Sequence, residues 1–236
     1  MLLPRLYAIL DAGCFPDGNA VCDFADELVS AGVTLLQYRN KSRDARAMLE
    51  QARELRRCLS HPFAKDAKGW GTQLSSLQNQ NPHFSQNRGE VGHPIIRLIM
   101  NDRADLALLA EFDGVHVGQD DLSPESVRKI IGPNRWLGVS THNPEQVAEA
   151  DQTSADYLAI GPVFSTSSKE KPDPVVGLEG VRRARQLTRK PLVAIGGITR
   201  ANAASVIEAG ADSVAVISDL LPEPRKSAEE FFRVLR

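Results

Sequence analysis

Two aspartates follow closely on apolar runs of the sequence, a position from which carboxylates can bind a metal ion. Asp102 follows the run 95–100, and Asp121 follows the run 114–117. Both runs are predicted to be buried strands. Neighbouring parallel strands lie about 4.8 Å apart, so both carboxylates would emerge at one sheet edge, close enough to share a hard cation such as Mg²⁺. The ordinary alternative is that Asp102 caps the following helix and that Asp121 is a turn residue.

Basic and amide side chains lie at the ends of other predicted strands. Gln37, Arg39 and Lys41 alternate along the segment 34–41, so they point to one side of the second strand. A strand that simply ends in solvent would show the same pattern. Asn101 precedes the first aspartate, and Ser140 ends the fifth strand. These residues would give the sheet edge positive charge and hydrogen-bonding groups.

The elements that position these residues are eight predicted strands that alternate with eight predicted helices. The strands are 6–10, 34–39, 95–100, 114–117, 136–140, 157–161, 192–197 and 213–218. The helices are 22–31, 45–59, 104–111, 124–131, 144–150, 178–187, 201–209 and 228–235. This alternation predicts an α/β protein with a parallel sheet, and the length predicts a (β/α)8 TIM barrel, single domain, over residues 1–236. An open doubly wound sheet is the alternative, but no Gly-x-Gly-x-x-Gly turn follows the first strand.

One segment interrupts the alternation. Residues 60–93 are rich in Gln, Asn and Ser and show neither a helical nor a strand period. We interpret them as a flexible insertion between the second helix and the third strand. In a barrel that connection lies on the N-terminal face, opposite the loops that follow the strands.

Hydroxyl groups and glycines follow the last three predicted strands. The residues are Thr166, Ser168 and Lys169 after the sixth strand, Gly197 at the end of the seventh, and Ile217 with Ser218 at the end of the eighth. Glycine permits close approach of a ligand to the backbone, and the loops after strands seven and eight of such barrels commonly bind phosphate. The pattern indicates a ligand that carries a phosphate monoester.

Composition excludes several classes of protein. The chain has 236 residues, a formal net charge of -2 and 42% hydrophobic residues. Nucleic-acid and membrane-surface proteins usually carry a basic excess, so neither partner is expected. Three cysteines without a close pair favour a reducing compartment over a disulfide framework. No apolar run approaches the roughly 18 residues of a membrane span, so we expect a cytoplasmic protein.

Cations at the same edge suggest a second anion site. Arg39, Lys41 and Lys169 supply positive charge, while Asp102 and Asp121 would hold Mg²⁺, which often completes its shell with phosphate oxygens. That combination fits a diphosphate. A monophosphate and a diphosphate substrate together indicate a transferase with pyrophosphate as leaving group.

At this point the sequence strongly resembles the thiamine phosphate synthase (thiamine-phosphate pyrophosphorylase) family. The matching segments are 37–41, 101–105, 113–121, 138–140, 161–169, 177–179, 194–198, 210–212 and 217–218. The resemblance implies a (β/α)8 barrel that joins 4-amino-2-methyl-5-hydroxymethylpyrimidine diphosphate to 4-methyl-5-(2-phosphoethyl)thiazole, giving thiamine monophosphate and pyrophosphate. Tyr38 stands where the family often has leucine, and Ser168 where threonine is usual.

The resemblance also implies roles for individual residues. The pyrimidine diphosphate would be bound by Gln37, Arg39, Lys41, Asn101, Ser140 and Lys169, of which Arg39, Lys41 and Lys169 would be catalytic. The thiazole phosphate would be bound by Thr166, Ser168, Gly197, Ile217 and Ser218. Asp102 and Asp121 would bind Mg²⁺, and a homodimer is compatible with the pattern.

Two other functions remain open from the sequence. A thiazole tautomerase of the same superfamily would share the barrel and the phosphate site but would not need the diphosphate apparatus. A regulator without catalytic activity would bind a thiamine precursor and release no pyrophosphate. The joint presence of Arg39, Lys41 and Lys169 with Asp102 and Asp121 favours the synthase.

Overall fold

The computed structural model describes residues 2–42, 44–60, 95–166 and 173–236 of the chain. The predicted insertion at 60–93 lies outside these residues except for Ser60, which ends a helix. Ser168 and Lys169 also lie outside them.

Eight parallel strands close into a barrel in chain order, which confirms the predicted fold. The strands are β1 (Leu6–Asp11), β2 (Leu35–Arg39), β3 (Arg97–Asn101), β4 (Gly114–Val117), β5 (Trp136–Thr141), β6 (Tyr157–Ile160), β7 (Leu192–Ile195) and β8 (Ser213–Val216). The barrel closes where β1 pairs with β8, with Leu6 opposite Val214. All strand carboxyl ends therefore lie at one mouth of the barrel.

The described residues contain eight α-helices around this barrel. They are α1 (Gly18–Ser30), α2 (Ala45–Ser60), α3 (Ala104–Leu109), α4 (Pro124–Ile131), α5 (Pro144–Asp151), α6 (Gly177–Leu187), α7 (Ala203–Glu208) and α8 (Pro224–Val234). Ser123 and Asn143 cap α4 and α5 through their side chains, and proline occupies the first turn of each. These caps explain why both helices begin at the predicted residue.

Two predicted helix starts were wrong by a full turn. The first helix begins at Gly18 and not at Cys22, because the Asp17 side chain accepts a hydrogen bond from the Ala20 N–H at 2.9 Å. The last helix begins at Pro224 and not at Ala228, with proline in its first turn. In α8 the first turn is polar, so the apolar period starts only one turn later, whereas in α1 Gly18 and Asn19 precede the first buried residue, Val21.

The core has two layers. One layer lies between the barrel and the helices and is built of aliphatic residues such as Leu36, Leu98 and Val214, each fully buried. The other fills the inside of the barrel and contains two tyrosines, Tyr7 and Tyr157, among small and branched residues. Burying each large aliphatic side chain contributes about 1.5–3 kcal/mol to the free energy of folding. Because both layers are packed in this way, the barrel can hold its loops in fixed positions.

Two of the three cysteines lie together between α1 and α2. The Sγ atom of Cys58 is 2.8 Å from that of Cys22, and all three thiols are free. Burial, with a further contribution from Cys58, raises the pKa of Cys22 to about 12. Cys22 is therefore protonated at neutral pH and chemically inert as a nucleophile.

No helix among the described residues is long and apolar enough to cross a membrane.

Candidate active site at the barrel mouth

The first charged contact at the mouth joins β1 to β2. Asp11 ends β1 and lies opposite Arg39 in the strand register. The Arg39 guanidinium forms an ion pair with the Asp11 carboxylate, and both side chains are mostly buried. The sequence analysis missed Asp11, although it follows an apolar strand in the same way as Asp102. The ion pair fixes the Arg39 side chain beside the barrel opening.

Lys41 and Asp102 form the second contact. The Lys41 Nζ atom lies 2.6 Å from Asp102 Oδ2. Asp102 has a left-handed backbone, with φ of 62°, and its N–H donates to the carbonyl of His116 on β4 at 2.8 Å. The N-cap of α3 is Arg103, without a side-chain cap. The alternative that Asp102 caps this helix is therefore wrong.

Asp121 lies beside Asp102. Partial burial raises the pKa of Asp121, and the Asp102 carboxylate raises it further, while the Gly118 N–H opposes the shift. That N–H donates to Asp121 Oδ2 at 2.7 Å, so the turn interpretation of Asp121 also holds. The Asp102 carboxylate thus acts directly on Asp121, and a cation bound between the two would relieve this repulsion.

The donor chemistry of this pair fits Mg²⁺. Asp102 and Asp121 offer anionic oxygens only, which hard cations prefer. Within the described residues, no group of three or more His, Cys, Asp or Glu side chains is arranged to hold a metal ion. A cation at the pair would therefore take its other ligands from water and from a substrate, which is the usual arrangement for Mg²⁺.

A chain of buried hydrogen bonds crosses the inside of the barrel. Gln37 Nε2 donates to the Tyr7 hydroxyl at 2.9 Å, and that hydroxyl lies 3.0 Å from the hydroxyl of Tyr157. The Tyr157 hydroxyl is 3.1 Å from His116 Nδ1, and His116 Nε2 is 2.8 Å from Ser140 Oγ. This hydrogen-bond chain thus connects Gln37 and Ser140, two of the predicted pyrimidine-binding residues. Sequence analysis did not find Tyr7, Tyr157 or His116.

Burial determines the protonation state of the side chains in this hydrogen-bond chain. His116 is only 7% exposed. Burial lowers its pKa to about 4, although the negative charge of Asp121 acts in the opposite direction. Burial also raises the pKa of Tyr7 and of Tyr157. Every member of the chain is therefore neutral near pH 7.

The main chain around Ser140 and Asn101 is fixed as well. Gln119 Nε2 donates to the Ser140 carbonyl at 2.6 Å, which ties the loop after β4 to β5. Asn101 is the last residue of β3 and lies opposite His116. Both predicted residues are half-buried at the mouth.

The loops after β6 and β7 pack against each other. Gly196 and Gly197 have φ of 98° and 63°, and the Phe164 N–H donates to the Gly196 carbonyl at 3.0 Å. A Cβ atom at Gly197 would lie 2.5 Å from the Ser165 carbonyl oxygen, so a side chain there would separate the loops. Glycine is needed at this point because of both its backbone angle and this close approach.

Four predicted phosphate-site residues lie at this side of the mouth. They are Thr166 after β6, Gly197 after β7, and Ile217 and Ser218 after β8, where Ser218 begins a short 3-10 turn, Ser218–Leu220. Ser168 and Lys169 lie outside the described residues. The roles of all six residues stay predictions.

The mouth therefore combines paired carboxylates, fixed cations and glycine-containing loops at the carboxyl ends of the strands. Such an arrangement defines the class of (β/α)8 barrels that bind ligands in the loops following their strands.

Comparison with known proteins narrows this class. A family model for thiamine monophosphate synthase matches residues 90–220. The thiamine-phosphate synthase of Koribacter versatilis is 54% identical over 236 residues, covering 99% of this chain and 96% of that protein. The thiamine-phosphate synthase of Chloroflexus aurantiacus is 39% identical over 214 residues, covering 91% and 83%. The chain belongs to the thiamine monophosphate synthase family.

A solved structure agrees with this assignment. Thiamine phosphate pyrophosphorylase from Pyrococcus furiosus has a TM-score of 0.73 and 27% sequence identity to this chain. The match covers 98% of this chain and 95% of that structure.

Proposed function

We propose that this chain is a thiamine-phosphate synthase that couples the hydroxymethylpyrimidine diphosphate with the thiazole phosphate and releases pyrophosphate. The observation that carries the proposal is the cluster of Lys41, Asp102 and Asp121 at the mouth. Its paired carboxylates and adjacent cation suit a diphosphate. A barrel that binds only a monophosphate would not require these groups.

The pyrimidine diphosphate would lie over β2, β3 and β5. Gln37 and Ser140, the two ends of the buried hydrogen-bond chain, would hold the pyrimidine, with Asn101 between them. Arg39 and Lys41 would contact the phosphates, together with Lys169. Guanidinium and ammonium groups form charge-assisted hydrogen bonds with phosphate oxygens, which are stronger than neutral ones.

The thiazole phosphate would lie over the loops after β6, β7 and β8. Gly197, Ile217 and Ser218 would offer backbone N–H groups to the phosphate, and Thr166 and Ser168 would add hydroxyl groups. This position brings the thiazole next to the pyrimidine across the barrel axis.

Asp102 and Asp121 would hold Mg²⁺. When bound, the ion would neutralise charge on the diphosphate and so favour its departure.

The residues of the chain would act on the leaving group electrostatically. The bond from the pyrimidine methylene carbon to the diphosphate oxygen would ionise, and the thiazole nitrogen would capture the resulting pyrimidine-stabilised cation. Arg39, Lys41 and Lys169 would stabilise negative charge as it develops on the pyrophosphate. No side-chain nucleophile is needed, and we assign none.

Two alternative functions predict different behaviour. A thiazole tautomerase would use the phosphate loops but would not depend on the Lys41–Asp102 contact. A regulator would bind the thiazole phosphate without turnover. The ion pairs Arg39–Asp11 and Lys41–Asp102 favour the synthase, because each carboxylate holds a basic side chain where a diphosphate would need it.

The test is pyrophosphate release by the purified protein with both substrates and Mg²⁺, beside the double variant Asp102→Ala/Asp121→Ala. We expect Mg²⁺-dependent release with formation of thiamine monophosphate, and loss of both in the variant. Binding of thiazole phosphate without release would overturn the proposal and support the tautomerase or the regulator.

Cytoplasmic location and a homodimeric state stay predictions. Fractionation of the source cells would check the first, and sedimentation velocity of the purified chain would check the second.

A further inference from the structure

The buried hydrogen bonds inside the barrel have a direction, because each tyrosine hydroxyl has one hydrogen. Gln37 donates its Nε2 hydrogen to the Tyr7 oxygen. The Tyr7 hydrogen must then go to Tyr157, its other polar neighbour. The Tyr157 hydrogen is in turn left for His116 Nδ1. His116 Nδ1 is therefore an acceptor, and in the neutral ring the hydrogen lies on Nε2.

The opposite direction would leave one hydroxyl hydrogen without an acceptor. If His116 Nδ1 carried the hydrogen, Tyr157 would donate to Tyr7, whose oxygen would then accept from both Tyr157 and Gln37, and the Tyr7 hydrogen would have no acceptor left among these partners. An unsatisfied buried donor costs about 1–3 kcal/mol. Tyr7 and Tyr157 are 1% and 0% exposed, so water does not reach their hydroxyls from the solvent.

Ser140 receives the end of this chain. The His116 Nε2 hydrogen points at Ser140 Oγ, 2.8 Å away. The hydroxyl hydrogen of Ser140 is then not directed at His116 and is available to another acceptor. Ser140 is thereby prepared as a hydrogen-bond donor.

Gly138 on β5 makes room for the central link. A Cβ atom at Gly138 would collide with the Tyr157 ring, with its hydroxyl and with His116 Nδ1. These are the atoms of the Tyr157–His116 hydrogen bond. Because any larger residue would occupy this space, Gly138 is a second, independent indication that the barrel is built around the bond.

We propose that Tyr157 is a positioning residue that holds His116 as its Nε2–H tautomer and so makes the Ser140 hydroxyl a donor to an acceptor atom of the pyrimidine substrate. The tautomer of His116 follows from the direction of the buried hydrogen bonds alone, whereas the identity of the ligand rests on the proposed function. Tyr157 acts through His116 and Ser140 and makes no contact with the reacting atoms.

The tautomer can be measured without substrate. In ¹⁵N NMR spectra of the full chain, with His116 assigned by its loss in His116→Gln, we expect an acceptor-type Nδ1 and a protonated Nε2. In Tyr157→Phe the Nδ1 resonance should move toward that of an imidazole nitrogen without a donor. A protonated Nδ1 in the unmodified protein would overturn the proposal even if synthase activity is found.

Kinetics supply the second readout. Tyr157→Phe should raise KM for the pyrimidine diphosphate about tenfold and change kcat less than about threefold, as expected for one misdirected hydrogen bond. Ser140→Ala should raise this KM by a similar factor, and the double variant should be no worse than Ser140→Ala alone. Additive effects in the double variant would show that Tyr157 acts independently of Ser140 and would overturn the proposal.

Tyr38→Phe is the matched control. Tyr38 is also fully buried, but its hydroxyl donates to Gln51 on α2 at 2.6 Å and accepts from Asn40 at 2.9 Å, in the outer layer. Its replacement removes a buried hydroxyl without touching the chain in the barrel. Equal changes of KM in Tyr38→Phe and Tyr157→Phe would mean that only general stability was affected, and would contradict the proposal.

Discussion

Lys41 Nζ lies 2.6 Å from Asp102 Oδ2, so the loops after β2 and β3 are joined by a direct contact between a cation and a carboxylate. Lys41 remains more than half exposed, whereas Asp102 is about one-fifth exposed. The carboxylate thus holds the free end of a long, mobile side chain at the place where a substrate phosphate would arrive.

Lys41→Ala is therefore expected to lower kcat for pyrophosphate release by about 10²–10³, the usual effect of losing one group that stabilises transition-state charge. Lys41→Arg should retain more activity because it keeps the charge. The control is Lys226→Ala, which removes an exposed cation paired with Glu223 on the outer helix α8. A loss in Lys41→Ala no larger than in the control would remove Lys41 from the mechanism.

Asp102→Asn and Asp121→Asn should each raise the Mg²⁺ concentration needed for half-maximal activity at least about tenfold, since each removes an anionic ligand of similar size. Asparagine also tolerates the left-handed backbone of Asp102, so folding should be preserved. Mg²⁺ titrations of the initial rate provide the measurement. The neighbouring Asp120→Asn should leave the Mg²⁺ dependence unchanged, and an equal shift in all three variants would contradict the assignment.

Gly197→Ala should raise KM for the thiazole phosphate about tenfold or more, because its Cβ atom would meet the Ser165 carbonyl and displace the loop after β7. The left-handed backbone alone costs alanine about 1–2 kcal/mol. Gly132→Ala imposes a positive φ on alanine without a loop contact, since Gly132 has φ of 75° and ψ of -179° and no atom lies within 4 Å of the added Cβ. Similar KM values in the two variants would show that the loop contact does not shape the phosphate site.

The burial of His116 predicts a pH dependence of stability for the metal-free protein. Its pKa falls from 6.5 to about 4 on folding, so the unfolded chain binds the proton more tightly. The stability contribution is complete above about pH 6.5 and is lost as the pH falls toward 4. From pH 7 to pH 5, linkage gives a loss of about 2 kcal/mol from this residue. Urea unfolding at both pH values should show a correspondingly smaller loss in His116→Gln, and equal losses in both proteins would contradict the prediction.

Replacing residues 62–92 by a short Gly/Ser linker should leave kcat and KM within about twofold of the unmodified chain. The flanking residues, Ser60 at the end of α2 and Arg97 at the start of β3, lie on the barrel face opposite the mouth. Steady-state kinetics and circular dichroism of the shortened protein would check this. Lost activity in a folded variant would show that the segment reaches the mouth.

The fold was predictable because its signal is local. Each strand is a short apolar run, and caps such as Ser123 and Asn143 mark helix starts directly in the sequence. Local signals failed at α8, whose first turn is polar, and at α1, whose first residues, Gly18 and Asn19, are poor helix formers. The Asp17 cap is the local signal that marks the start of α1.

The candidate site was predictable only in part. Residues that follow strands, such as Gln37, Asp102 and Asp121, could be found by position, and Asp11 could have been found in the same way. The bond between Tyr7 and Tyr157 could not, because the two residues are 150 positions apart and meet only when the barrel closes. Hydrogen bonds inside a barrel depend on register and tilt, which no short window of sequence contains.

The left-handed backbone of Asp102 has a consequence for protein engineering. Glycine would adopt this conformation without strain, so a search for heat-resistant variants would favour replacing the aspartate. The same replacement would delete the carboxylate that holds Lys41 and faces Asp121. At this position we expect selection for stability and selection for turnover to act in opposite directions, so stabilised variants of the enzyme should be screened for activity before Asp102 is allowed to vary.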